Sequence, residues 1–73
     1  MKIQVTYFCE TNKYMPISTT IEVPSSYHFI KNREYWRQRA LLRILAKRYW
    51  TIDDLQKFGY TICKERVLKD ESH

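Results

Sequence analysis

The sequence predicts a small α+β domain of order β-β-α-α-β, with a three-stranded antiparallel sheet, one long helix packed across one sheet face, and a short second helix. Three observations carry this prediction. Lys2 to Cys9 and Met15 to Val23 alternate apolar and polar residues with the period of a half-buried strand. Asn32 or Arg33 to about Trp50 holds no Gly, no Pro and no β-branched cluster, and so reads as one continuous helix. Strand composition returns from Tyr60 to Leu68, after the only glycine of the chain, Gly59.

Each element has a local reason. Ile3, Val5, Tyr7 and Cys9 fall on one face of the first strand. Glu10-Thr11-Asn12-Lys13 is a polar turn, and Asn12 is its residue most tolerant of positive φ. Ile17, Thr19, Ile21 and Val23 share a face of the second strand, while Pro16, which cannot donate to a ladder, belongs at its start or on an edge. Either Ser25 or Ser26 can cap a helical turn over Tyr27 to Lys31. Thr51 is a helix cap with Asp53 and Asp54 in the first turn behind it, opening a short helix from Ile52 to Phe58 that Gly59 stops. The last strand mixes charges into both faces, which suits an edge: Lys64 and Arg66 discourage strand addition and can also extend a basic surface. Residues 69–73 are expected to form a frayed polar tail. Seventy-three residues make a single domain over 1–73, too short for a catalytic barrel or a full dinucleotide-binding sheet.

The long helix carries most of the functional information. At about 100° per residue, Leu41, Leu45, Tyr49, Leu42, Tyr35 and Ala46 cluster on a broad arc expected to face the sheet. Arg33, Arg37, Arg39, Arg43 and Lys47 lie opposite, with Arg48 on the border and Trp36 and Ala40 within the basic arc. The predicted core is therefore Ile3, Val5, Tyr7, Ile17, Ile21, Val23, Leu41, Leu42, Leu45, Tyr49, Leu55 and Phe58. Pairs Arg33/Arg37, Arg39/Arg43 and Arg43/Lys47 place like charges at i,i+4, each costing about 0.2–0.5 kcal/mol, and no acid follows Glu34 before Asp53. Arginine with an interleaved tryptophan is the chemistry of phosphate neutralisation plus base stacking.

Net charge is +5, from thirteen Lys and Arg against eight Asp and Glu. Together with the stripe it points to a nucleic-acid-binding module, DNA or RNA, through Arg33, Trp36, Arg37, Arg39, Arg43, Lys47 and Arg48. The alternative is a protein-interaction module, a small inhibitor or adaptor of the kind found in phage and mobile elements, that docks the same basic face on an acidic protein surface. An ordinary solvated face, with Trp36 packed under a loop such as Tyr27 to Ile30, competes with both.

Other classes are expected to be absent. Cys9, Cys63, His28 and His73 have no paired ligand spacing, so no metal or other cofactor is expected. There is no nucleophile elbow, phosphate loop or carboxylate pair, so the chain is not expected to be an enzyme. Two cysteines without a signal-peptide h-region or a long apolar run read as reduced thiols of a cytoplasmic protein with no membrane partner. Trp50 to Leu55 looks like the opening of a helix-turn-helix, but the helix there is short and Gly59 leads to a strand.

Overall fold

The computed structural model describes residues 1–68; the tail expected over residues 69–73 lies outside them. Within them the chain is a small α+β domain. Strand β1 (Lys2–Cys9) is central, flanked by β2 (Ile17–Glu22) and β3 (Tyr60–Val67) in the order β2-β1-β3. Both pairings are antiparallel. β1 and β2 form the expected hairpin, from Lys2 opposite Glu22 to Tyr7 opposite Ile17. β3 runs from Val67 opposite Ile3 to Ile62 opposite Phe8, with an irregularity at Phe8/Cys9 that re-aligns Tyr60 on Cys9. Asn12 takes φ 57° in the hairpin loop, as its side-chain chemistry allows.

Local capping explains the helices. Ser25 accepts from the His28 backbone N–H at 3.2 Å and opens α1 (Ser26–Lys31), so the expected turn is a helix of its own and the order contains three helices. In α3 (Ile52–Lys57), the Asp54 N–H donates to Thr51 Oγ1 and the Thr51 N–H donates to Asp54 Oδ2, a reciprocal capping box. Gly59 then takes φ 80° and hands the chain to β3.

The long helix α2 (Arg33–Arg48) ends differently. Tyr49 adopts φ 58°, its N–H donating to the Ala46 carbonyl, while Trp50 N–H reaches back to the Leu45 carbonyl. This is a Schellman ending with a tyrosine where glycine is usual.

The helix lies on the sheet in a different rotation from the one its apolar arc predicts. Ala40 is 0% exposed and, with Ile44 and Leu45, supplies the buried positions of α2. Trp36 and Leu41 are partly buried beside them. Leu42, Tyr35, Ala46 and Tyr49 face solvent instead, Leu42 at 52% and Tyr49 at 95% exposure. The helix is turned by about a third of a turn from the expected phase. Two physical reasons account for this. Ala40 lets the helix backbone approach the sheet, so the row Trp36–Ala40–Ile44 packs closely at i,i+4 spacing. Of the basic side chains beside that row, Arg33 and Arg37 reach Glu65 of β3, while Arg43 and Lys47 stay exposed.

Two clusters make the core. Ile3, Val5, Ile21, Val23, Phe29 and Ala40 fill one; Cys9, Ile17, Ile44, Leu45, Leu55 and Tyr60 fill the other. Of the expected core, Leu42 and Tyr49 are corrected to exposed, and Tyr7, Leu41 and Phe58 are only partly buried. Cys9, Phe29, Ala40, Ile44 and Tyr60 are the residues the expectation missed.

Candidate interaction surface on helix α2

The rotation of α2 redistributes the basic stripe. Arg33 and Arg37 turn toward β3, where both meet one carboxylate. Arg37 Nε donates to Glu65 Oε1, and Arg33 Nε lies 3.6 Å from the same oxygen. Glu65 is well covered, with its side chain 14% exposed, and the Arg37 guanidinium holds its carboxyl below the usual carboxylate range. The same hydrogen bond raises Arg37 further. This corrects the expectation that the Arg33/Arg37 pair is uncompensated: the acid arrives from β3, remote in sequence, and removes the repulsion that i,i+4 spacing implies. Val5 opposite Glu65 in the β1–β3 register fixes where that carboxylate stands.

Beside this pair the interior is weakly polar. Burial is the main reason the phenol of Tyr7 and the thiol of Cys63 both resist ionisation. Cys9 and Cys63 are free thiols. His28 is occupied locally, its Nδ1 lying 2.8 Å from the Ser25 hydroxyl that caps α1. Among the described residues no group of His, Cys, Asp or Glu is arranged to hold a metal. No helix of the described residues is long and apolar enough to cross a membrane.

Trp36 is also reassigned. Its ring packs against the first core cluster, and its indole N–H is buried without a hydrogen-bond partner among the described residues. It is therefore not a free platform for a stacked base. It packs, as the solvated-face reading expects, beside the Tyr27 to Ile30 segment, through the cluster that holds Phe29, although that segment is helix α1 rather than a loop. Tyr35 packs edge-on against it at 5.0 Å between centroids. Arg39 spans both rings, 5.7 Å from Tyr35 and 5.9 Å from Trp36, and donates from Nη1 to the Tyr35 hydroxyl at 3.0 Å.

What remains on the outside of α2 is a mixed surface. Tyr35, Leu42 and Tyr49 recur every seven residues and are 53%, 52% and 95% exposed. Ala46 is exposed between the last two. Arg39, Arg43 and Lys47 run along one side of this ridge at i,i+4 spacing, Arg48 lies on the far side of the helix, and none forms an ion pair with a described residue. Arg48 stacks over Trp50 at 5.6 Å. Between the ridge and β2 lies an open groove of about 470 Å³, lined by Ile21, Glu22, Trp36, Arg39, Leu42 and Arg43.

The seven expected site residues thus divide. Arg39, Arg43 and Lys47 share one exposed helix row, Arg48 is exposed on the other side over Trp50, Arg33 and Arg37 are tied to the sheet, and Trp36 is packing. Sequence reasoning missed the ridge because it placed Tyr35, Leu42 and Tyr49 on the sheet-facing arc. Their heptad spacing was the available signal. The chain matches no family model, and comparison with curated proteins and with solved structures returned no match.

Proposed function

We propose that the protein is a small interaction module that docks the outer face of α2 on an acidic protein surface. The observation carrying this reading is the ridge Tyr35–Leu42–Tyr49, exposed in the folded chain and bordered by unpaired cations among the described residues. Tyrosine and arginine dominate interface energetics: tyrosine joins large contact area to few lost rotamers, and arginine supplies a planar, multidentate donor. The α2 groove offers a place for a partner side chain beside Leu42.

Charge selects the partner. Two-fold pairing of the ridge around Leu42 would set Arg39 and Arg43 of one copy against those of the other, so a second copy is a poor occupant. An acidic protein surface is complementary and is steered toward Arg39, Arg43 and Lys47. Nucleic acid on the same helix is less well supported, since Arg33, Arg37 and Trp36 are engaged within the fold.

A photo-crosslinking residue at Leu42 identifies the partner, whose affinity is then measured against variants. Leu42→Ala and Tyr49→Ala are expected to weaken that complex by about 2 kcal/mol each, as interface anchors. Arg39→Ala and Arg43→Ala should slow association in a salt-dependent way and leave the thermal melt nearly unchanged. Salt-sensitive retention on duplex DNA that these arginine variants abolish, with no crosslinked protein, would return α2 to the nucleic-acid reading.

A further inference from the structure

Helix α2 covers one face of the sheet, and among the described residues no element covers the other. Partner residues across an antiparallel ladder share a face, so the register defines this open surface. Its central strand contributes Lys2, Gln4, Thr6 and Phe8. On one side stand Glu22, Thr20 and Ser18; on the other, Arg66 opposite Gln4, Lys64 opposite Thr6, and Ile62 opposite Phe8. All the β2 and β3 members are exposed, and Phe8 is half-buried.

The composition of this face is ordered along the strands. At one end Phe8 and Ile62 form a small apolar platform, Ile62 being 41% exposed. Lys64 follows, its ammonium 5.6 Å from the Phe8 ring centroid. Arg66 comes next on β3, and Lys2 lies one row further on the neighbouring strand. Residues two apart on a strand are separated by about 7 Å. The three cations therefore make a track leading away from the platform, with hydroxyl and amide groups of Thr6, Gln4 and Thr20 alongside. Glu22 stands directly opposite Lys2, at the end of the track away from Phe8.

We propose that this open sheet face binds single-stranded nucleic acid, with a base stacked on Phe8 and Ile62 and the phosphates following Lys64, Arg66 and Lys2. A stacking ring joined to a cation track is how sequence-tolerant single-strand binders work. An unpaired base has a free face for Phe8; a duplex hides its bases from a flat sheet. A protein partner would find little apolar area here beyond the two-residue platform. This surface lies on the opposite side of the sheet from α2, so it stands apart from the docking reading of the helix. DNA and RNA share the chemistry, and the assay separates them.

The test titrates the full chain with labelled oligo-dT and oligo-U at several salt concentrations, with the matching duplex as a third arm. Both single strands should bind, duplex weakly, and a preference for oligo-U would identify RNA while one for oligo-dT would identify DNA. Phe8→Leu keeps an apolar side chain but removes the ring, and should weaken binding about 5- to 150-fold, the range for one stacked base. Lys64→Ala and Arg66→Ala should each lower the log–log salt slope by about 0.7. Lys64→Glu combined with Arg66→Glu, at exposed positions that leave folding intact by thermal melt, should abolish binding. The proposal is overturned if the parent binds neither strand, if duplex binds as tightly, or if the Lys64/Arg66 double variant binds like the parent. It is equally overturned if Arg39→Ala and Arg43→Ala, rather than the sheet variants, remove the binding.

Discussion

The inner face of α2 presents Trp36, Ala40, Ile44 and Leu45 to the sheet, while the outer face presents Tyr35, Leu42, Ala46 and Tyr49 to solvent. By residue type the two sets are nearly interchangeable. The charges around them are not. On the β3 side, Arg33 and Arg37 share Glu65 and join helix to sheet. Beside the outer ridge, Arg39, Arg43 and Lys47 have no ion-pair partner among the described residues. The difference teaches that hydrophobicity alone does not choose which side of a helix is buried. Fit against the sheet and satisfaction of the neighbouring charges choose it, and the loser remains an exposed surface available to a partner.

The sharpest way to break this comparison is a pair of truncations. Ile44→Ala removes a side chain that is 2% exposed, and should cost about 2–5 kcal/mol through lost burial and an unfilled cavity. That is comparable with the whole stability a core of this size supplies, so the variant should be largely unfolded by circular dichroism. Leu42→Ala, on the outer face, should melt within a few degrees of the parent. Equal losses for the two would mean that the helix sits in the other rotation.

Glu65→Gln tests the charge half of the comparison. It leaves Arg37 without its carboxylate partner and should cost about 1–3 kcal/mol. Its pH dependence has a definite sign. The folded carboxyl ionises below its unfolded value of about 4.3, so the pair stabilises the fold above that pH. The contribution is lost as pH falls through the lower, folded value. Urea titrations across the acid range should show a shallower acid decline for Glu65→Gln than for the parent. An unchanged acid limb would remove the ion pair from the stability of the fold.

The smallest expected effect is a gain. Tyr49 occupies a left-handed backbone position at φ 58° and is almost wholly exposed. A side chain there costs roughly 1–2 kcal/mol, of which the entropy of a glycine in the unfolded chain offsets part. Tyr49→Gly should therefore raise stability by about 0.5–1 kcal/mol, visible as a higher melting temperature. The same variant should weaken docking of α2. A stabilised variant with full partner affinity would detach Tyr49 from the interface.

Local chemistry was readable before any coordinates. The caps at Ser25 and Thr51, the positive φ of Asn12, the stop at Gly59 and the alternation of β1 and β2 all depend on neighbours within a few residues. The β3 edge position was equally legible, because charges on both faces of a strand are tolerated only where one side lacks a partner. The α+β architecture followed from these pieces, since a hairpin, a helix and a third strand have few ways to bury their apolar faces.

The rotation of α2 was decided elsewhere. Apolar residues surround that helix, and both Leu41–Leu45 and Trp36–Ala40–Ile44 are plausible contact rows when it is viewed alone. Only the assembled sheet selects between them, because close approach at Ala40 and the placement of Glu65 on β3 are properties of three dimensions. From that choice follow the pairing of Arg33 and Arg37, the packing of Trp36 and the exposure of Tyr35, Leu42 and Tyr49. Sequence by itself determined which segments are helix and strand, through interactions spanning a few residues. Tertiary structure decided which helix face meets a partner, because burial is a competition between whole surfaces.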